Sequence, residues 1–79
     1  MNFLSIDKTA EEFCISIPSY YRLAAQGLVP PSFKITPNRS VTSEEEVNAV
    51  KEARLQGHDD IYIRNLVEQL VNKRMVRSK

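Results

Sequence analysis

Three of the four prolines in this 79-residue chain fall between Leu28 and Thr42. That break constrains the fold more than any other feature. Proline has no backbone N–H and its ring clashes with the preceding helical turn, so no regular helix crosses this stretch. On either side of it, apolar residues recur at helical spacing. The expected order is helix, helix, proline-rich excursion, helix, helix. Within the excursion the pattern alternates: Phe33 and Ile35 share one face, and Ser32, Lys34 and Thr36 the other. "TPN" then reads as a turn and "RSVT" as a returning strand. A two-residue loop of Pro37 and Asn38 pairs Lys34 with Val41 and mixes the faces. A three-residue loop, Thr36–Pro37–Asn38 with Asn38 left-handed, pairs Phe33 with Val41 and Lys34 with Ser40, and is preferred. This gives a small β-ribbon with a buried face and a polar face carrying Lys34, with Arg39 beside the tip.

The helices follow from caps and stripes. Asp7 is expected to cap the first, with Ile6, Ala10 and Phe13 on its inner face and an end near Cys14. Ser16 caps the second, about Ile17 to Gln26, and Pro18 sits in its first turn, where N–H groups are spare. Tyr20, Leu23 and Ala24 form its core face, while Tyr21, Arg22 and Gln26 lean away. Gly27 is a natural C′ residue. Two helices joined by so short a turn make a helix-turn-helix in outline. Ser43 with Glu46 reads as a capping box opening the third helix, whose first turn carries three acids that suit the helix dipole. Val47, Val50 and Ala53 or Arg54 form its stripe, and Gly57 ends it. Asp59 or Asp60 caps the fourth helix. Its stripe is Ile63, Leu66, Val67 and Leu70, widened by Tyr62, Val71 and Met75. That face is expected to pack on the core, and its distal end near Val71 and Met75 is a candidate contact with a partner subunit.

Seventy-nine residues make one domain and exclude a deep catalytic cleft between domains. One cysteine, Cys14, cannot form an intramolecular disulfide and shares no ligand spacing with the one histidine, His58. Cys14 is expected to be a small core residue, and His58 a solvated turn residue. No Gly-rich phosphate loop, metal cluster or paired serine and histidine is visible, so neither enzymatic chemistry nor a cofactor is expected. No apolar run approaches the ~20 residues that span a membrane. The opening Met1–Ser5 lacks the features of a signal peptide, and a cytoplasmic location is expected.

A net charge of +1 does not by itself point to nucleic acid. The distribution says more. After Glu12 no acid appears until Glu44, and between Phe13 and Ser43 the only charges are Arg22, Lys34 and Arg39. The segment from Lys73 to Lys79 is also purely basic. A helix-turn-helix sends the N-terminal part of its second helix into the DNA major groove. Here that part carries Ser16, Ile17, Ser19, Tyr20, Tyr21 and Arg22. Serine hydroxyls and the helix N-terminus suit phosphates, as does the Tyr21 phenol. Arg22 can take a phosphate or a guanine edge. The ribbon then brings Lys34, Thr36 and Arg39 to the flanking backbone or the minor groove.

In order and spacing these pieces resemble the winged-helix DNA-binding domains of MerR-type regulators, AlpA-like regulators and phage-type excisionases. "GLVPP" (Gly27–Pro31) is similar to the MerR stretch where the recognition helix gives way to the wing. "SVTSEEEV" (Ser40–Val47) resembles the wing's return strand leading into a helix, and "LQGHDDIYIRNLV" (Leu55–Val67) the glycine before the next amphipathic helix. "SYYRLAAQG" (Ser19–Gly27) is closer to AlpA, with Tyr21-Arg22 at that family's Tyr-Arg pair. The resemblance implies a mainly α winged helix-turn-helix of the MerR/excisionase type, with a β-hairpin wing. It places a DNA-binding domain at 1–72, followed by a basic tail at 73–79. The implied function is sequence-specific double-stranded DNA binding as a small transcriptional regulator. A recombination directionality factor that bends DNA for an integrase shares the fold, and a protein-interaction module on a relic of it is a third reading. A homodimer, or cooperative neighbours on DNA, are the expected partners, with an integrase added under the second reading.

Overall fold

The computed structural model describes residues 2–77. It holds four helices and one three-stranded antiparallel sheet: β1 (Phe3–Ser5), α1 (Ile6–Glu12), α2 (Ile17–Ala25), β2 (Phe33–Thr36), β3 (Arg39–Ser43), α3 (Glu44–Leu55) and α4 (Asp60–Arg77). The strand order is β1-β3-β2.

β1 is an addition to the expected elements. Three residues cannot sustain a strand alone; β3 supplies the template by pairing Leu4 with Thr42. The strand then feeds straight into α1. Ser5, rather than Asp7, is therefore the N-cap: its Oγ accepts from Lys8 N at 3.2 Å. Thr9 on α1 donates to the Ser5 carbonyl at 2.8 Å, so its single proton is used. Thr42 must then donate to Thr9 across a 2.6 Å contact, which ties α1 to the C-terminal end of β3 in a buried, fully satisfied pair.

The hairpin keeps the preferred pairs, Phe33 with Val41 and Lys34 with Ser40, by a different route. Asn38 is not left-handed. Thr36 pairs with Arg39 across a two-residue turn, and the surplus residue is a bulge at Ile35. Proline at the first turn position locks φ negative and forbids the primed turns that need positive φ, so the strand absorbs the mismatch. The bulge also leaves Ile35 exposed, not on a buried face.

Helix ends follow one design. At α1, α2 and α3 the second residue past the cap donates back to the carbonyl five residues earlier: Ile15 to Ala10, Leu28 to Leu23 and His58 to Ala53. Each such motif needs a left-handed residue at C′. Gly27 and Gly57 fill two of them, and Cys14 the third, with φ of 59°. Cys14 is thus exposed at a chain reversal instead of packed in the core. Asp59 caps α4, accepting from Tyr62 N at 3.0 Å. Ser43 stands at the N-cap of α3 without a side-chain bond, so the expected capping box is absent. Its Glu46 is engaged elsewhere.

The core has two lobes. Leu28, Val50, Ala53, Ile63 and Val67 form one. Ala10, Tyr20 and Val29 form the other. Phe13 and Leu23 pack against both and join them. Leu66, Leu70 and Val71 lie on the first lobe, so Val71 is a core-packing residue rather than an overhang; the Met75 side chain lies outside the described residues. Tyr62 departs from the stripe. It is exposed and stacks on His58, with ring centroids 3.7 Å apart, so His58 is half-buried by that ring. The basic segment expected as a tail after residue 72 continues α4 to Arg77, and Ser78 and Lys79 lie outside the described residues.

Candidate nucleic-acid interface

The first turn of α2 is built by Ser16. Its Oγ accepts from Ser19 N at 3.3 Å, and its hydroxyl donates to Ser19 Oγ at 2.9 Å. Arg22, one turn further, donates to the same Ser19 oxygen at 3.3 Å. Spacing by three puts Ser16, Ser19 and Arg22 in one strip along the helix. Ser19 Oγ accepts twice, which leaves its own O–H to donate outward. Arg22 keeps most of its N–H donors for an external acceptor. Ile17 and Tyr21, four apart, make an exposed apolar and aromatic strip beside this one. The Tyr21 ring meets Tyr20 edge-on at 5.3 Å, so its orientation is set by a buried neighbour. The helix N-terminus is a weaker anion site than its position implies. Pro18 has no N–H and Ser16 occupies Ser19 N, leaving the Ile17 amide as the first-turn donor.

Tyr20, expected among the residues that contact DNA, lies in the core instead. It has no exposed surface, and its hydroxyl donates to the Pro30 carbonyl at 2.7 Å. Pro30 is buried too, in a segment between α2 and β2 that has no strand to pair with, and its carbonyl needs that donor. Burial pushes the Tyr20 phenol up to about 12, against the opposing pull of the nearby Ser32 hydroxyl.

On the hairpin, Lys34, Thr36 and Arg39 are all exposed. Thr36 and Arg39 face each other across the tip, and Lys34 Nζ lies 3.5 Å from the Pro37 carbonyl, a marginal contact. Among the described residues three ion pairs form: Glu12 with Lys51, Asp60 with Arg54 and Glu46 with Arg74. None uses Arg22, Lys34 or Arg39. All three cations of the acid-free stretch are therefore exposed and uncompensated by a carboxylate among the described residues.

Sequence reasoning missed the cluster at the hairpin's base. Arg74 of α4 donates Nε to Glu46 Oε2 at 2.7 Å and a second N–H to Glu46 Oε1. It also donates to the Pro31 carbonyl at 2.9 Å and lies over the Phe33 ring, 4.7 Å from its centre. Phe3 of β1 packs edge-on against the same ring at 5.6 Å. No local signal links residues 28 to 43 positions apart, so only the folded chain reveals this cluster.

Elsewhere, a groove of about 540 Å³ opens between α1, α2 and α3, floored by Phe13, Leu23, Leu28 and Val50. Of the charged residues that line it, Glu12 and Lys51 pair with each other at 2.5 Å and Arg54 pairs with Asp60 at 3.0 Å. Among the described residues no three of His, Cys, Asp and Glu gather at one point, and no helix is long and apolar enough to cross a membrane. The chain has no significant match to a protein-family model, a curated protein sequence or a solved structure.

Proposed function

We propose that this chain is a non-enzymatic, sequence-specific double-stranded DNA-binding protein. It is a winged helix-turn-helix of the MerR/AlpA-like type acting as a small transcriptional regulator. The observation that carries this reading is the charge distribution on the folded surface. Arg22 on α2 and Lys34 and Arg39 on the hairpin are exposed and free of acidic partners among the described residues, in a stretch with no acid at all. Counter-ion release makes such unpaired cations the source of phosphate affinity. In this reading α2 enters the major groove, with base reading by Ser19 and Arg22. Ser16, Ile17 and Tyr21 lie against the groove wall or phosphates, and Lys34, Thr36 and Arg39 hold the flanking backbone or minor groove. An excisionase would use the same contacts.

The test is binding to a duplex selected from a random pool, measured against salt. Arg22→Ala with Lys34→Ala is expected to flatten the slope of log affinity against log salt by roughly two units, about one per lost phosphate contact. Unchanged affinity and slope would show that these residues do not touch DNA.

A second reading has its own observation. Leu55, Ile61 and Tyr62 are exposed around the α3–α4 corner, Leu55 at 87%. Large apolar side chains grouped in this way favour a protein partner, and a neighbouring copy on the same DNA is the simplest one.

A further inference from the structure

We propose that Arg74 is a positioning residue for the hairpin, so that the last turns of α4 set the pose in which Lys34, Thr36 and Arg39 meet DNA. This rests on the DNA-binding reading above. Arg74 touches both roots of the hairpin. Before β2 it holds the Pro31 carbonyl, at the first residue of β2 it covers the Phe33 ring, and just after β3 it takes both oxygens of Glu46. The Glu46 side chain is 9% exposed and that of Arg74 24%, so water competes little for these bonds. β1 and the Thr9–Thr42 bond hold β3 from Val41 to Ser43, while β2 is the edge strand; from Lys34 to Ser40 the hairpin is held by its own strand pairing and turn, so the root of β2 depends on Arg74. The three rises from Phe33 to Thr36 carry the tip about 10 Å from the root, so a tilt of about 10° moves it by about 2 Å. That displacement exceeds the tolerance of a hydrogen bond to phosphate. The planar guanidinium makes all these contacts at once because its donors are fixed in a fork and its face is free to stack; an ammonium cannot.

The experiment uses the full chain with Arg74→Lys, which keeps the charge and removes the fork. Two measurements are made. Without DNA, amide hydrogen exchange compares the hairpin with α2. Exchange that quickens at the hairpin more than in α2 is expected; equal quickening in both would overturn the proposal, since Arg74 would then serve only global stability. With a mixed-sequence duplex, Lys34→Ala is combined with Arg74→Lys. Arg74→Lys alone is expected to lower the salt slope by roughly two units, about one each for Lys34 and Arg39, and Lys34→Ala is expected to add nothing further on that background. Arg22→Ala is expected to keep its full effect there. A full Lys34→Ala effect in the Arg74→Lys protein would overturn the positioning role. If Arg74→Lys unfolds the chain, Glu46→Gln, which weakens the same node from the other side, takes its place in both measurements. If the wild type fails to bind any duplex while its hairpin exchange still responds selectively, the DNA-binding reading falls and the control of the hairpin by Arg74 stands on the exchange result.

Discussion

Tyr20→Phe removes one oxygen from a side chain with no exposed surface and leaves the ring in place. The lost group is the donor to the Pro30 carbonyl, which is itself buried and has no strand partner. Leaving such an acceptor unpaired costs about 1–3 kcal/mol. A domain of this length has about 4–12 kcal/mol of stability, so the variant should fold at neutral pH with a lower urea midpoint. The phenol adds a second, independent signature. Its pKa in the fold is raised to about 12 by burial. Between about pH 10, where the unfolded chain's tyrosine ionises, and 12, the folded state binds more protons than the unfolded one. Stability therefore falls as pH rises through this window, by about 2–3 kcal/mol in all. Below about pH 9 the group contributes no pH dependence. Tyr20→Phe lacks the group, so its deficit relative to wild type should shrink steadily from pH 9 to 11. Tyr21 and Tyr62 are present in both proteins and cancel. Urea melts at several pH values provide the test. A deficit that stays constant with pH would mean that the phenol meets water, and would return Tyr20 to the residues proposed to face DNA.

Cys14 has φ of 59° and an exposed side chain. Cys14→Gly should relieve about 1–2 kcal/mol of left-handed strain, less about 0.4–1 kcal/mol of added unfolded-chain entropy. A small rise in melting temperature is expected, and a fall would show that the thiol makes a stabilising contact. Lys51 holds the Glu12 carboxyl below its ordinary value, first through their hydrogen bond and then through its charge. A depressed carboxylate pKa stabilises the fold above the ordinary value, and that contribution is lost as pH falls through the folded one. Lys51→Met should return the Glu12 titration, followed by carboxyl NMR shifts, toward its usual range. An unchanged titration would break the assigned pair.

The helices were legible because their signals are local. Ser16, Gly27 and Gly57 act within one or two turns, and the stripes of α3 and α4 point wherever a core exists. The acid-free stretch was likewise visible as a plain count along the chain. Errors arose where an element took its partner from far away. β1 exists because β3 templates it, and with β1 in place the cap of α1 moved from Asp7 to Ser5. The left-handed place at the end of α1 fell to Cys14, because the chain must reverse there to bring Ile15 against the core and no glycine is at hand.

The same division runs through the candidate site. The sequence by itself determined which residues could face a polyanion: Arg22, Lys34 and Arg39 are the charges of an acid-free stretch, and their spacing assigns them to a helix and a ribbon. Tertiary structure alone decided which of their neighbours are available and what holds them. It buried Tyr20 against Pro30, left Ile35 exposed at a bulge, and drew Glu46 from its local cap to Arg74, 28 residues away. The physical reason is that a local pattern specifies the face on which a side chain lies. Whether its polar atoms find a partner depends on chain segments that only the completed packing brings within hydrogen-bond distance.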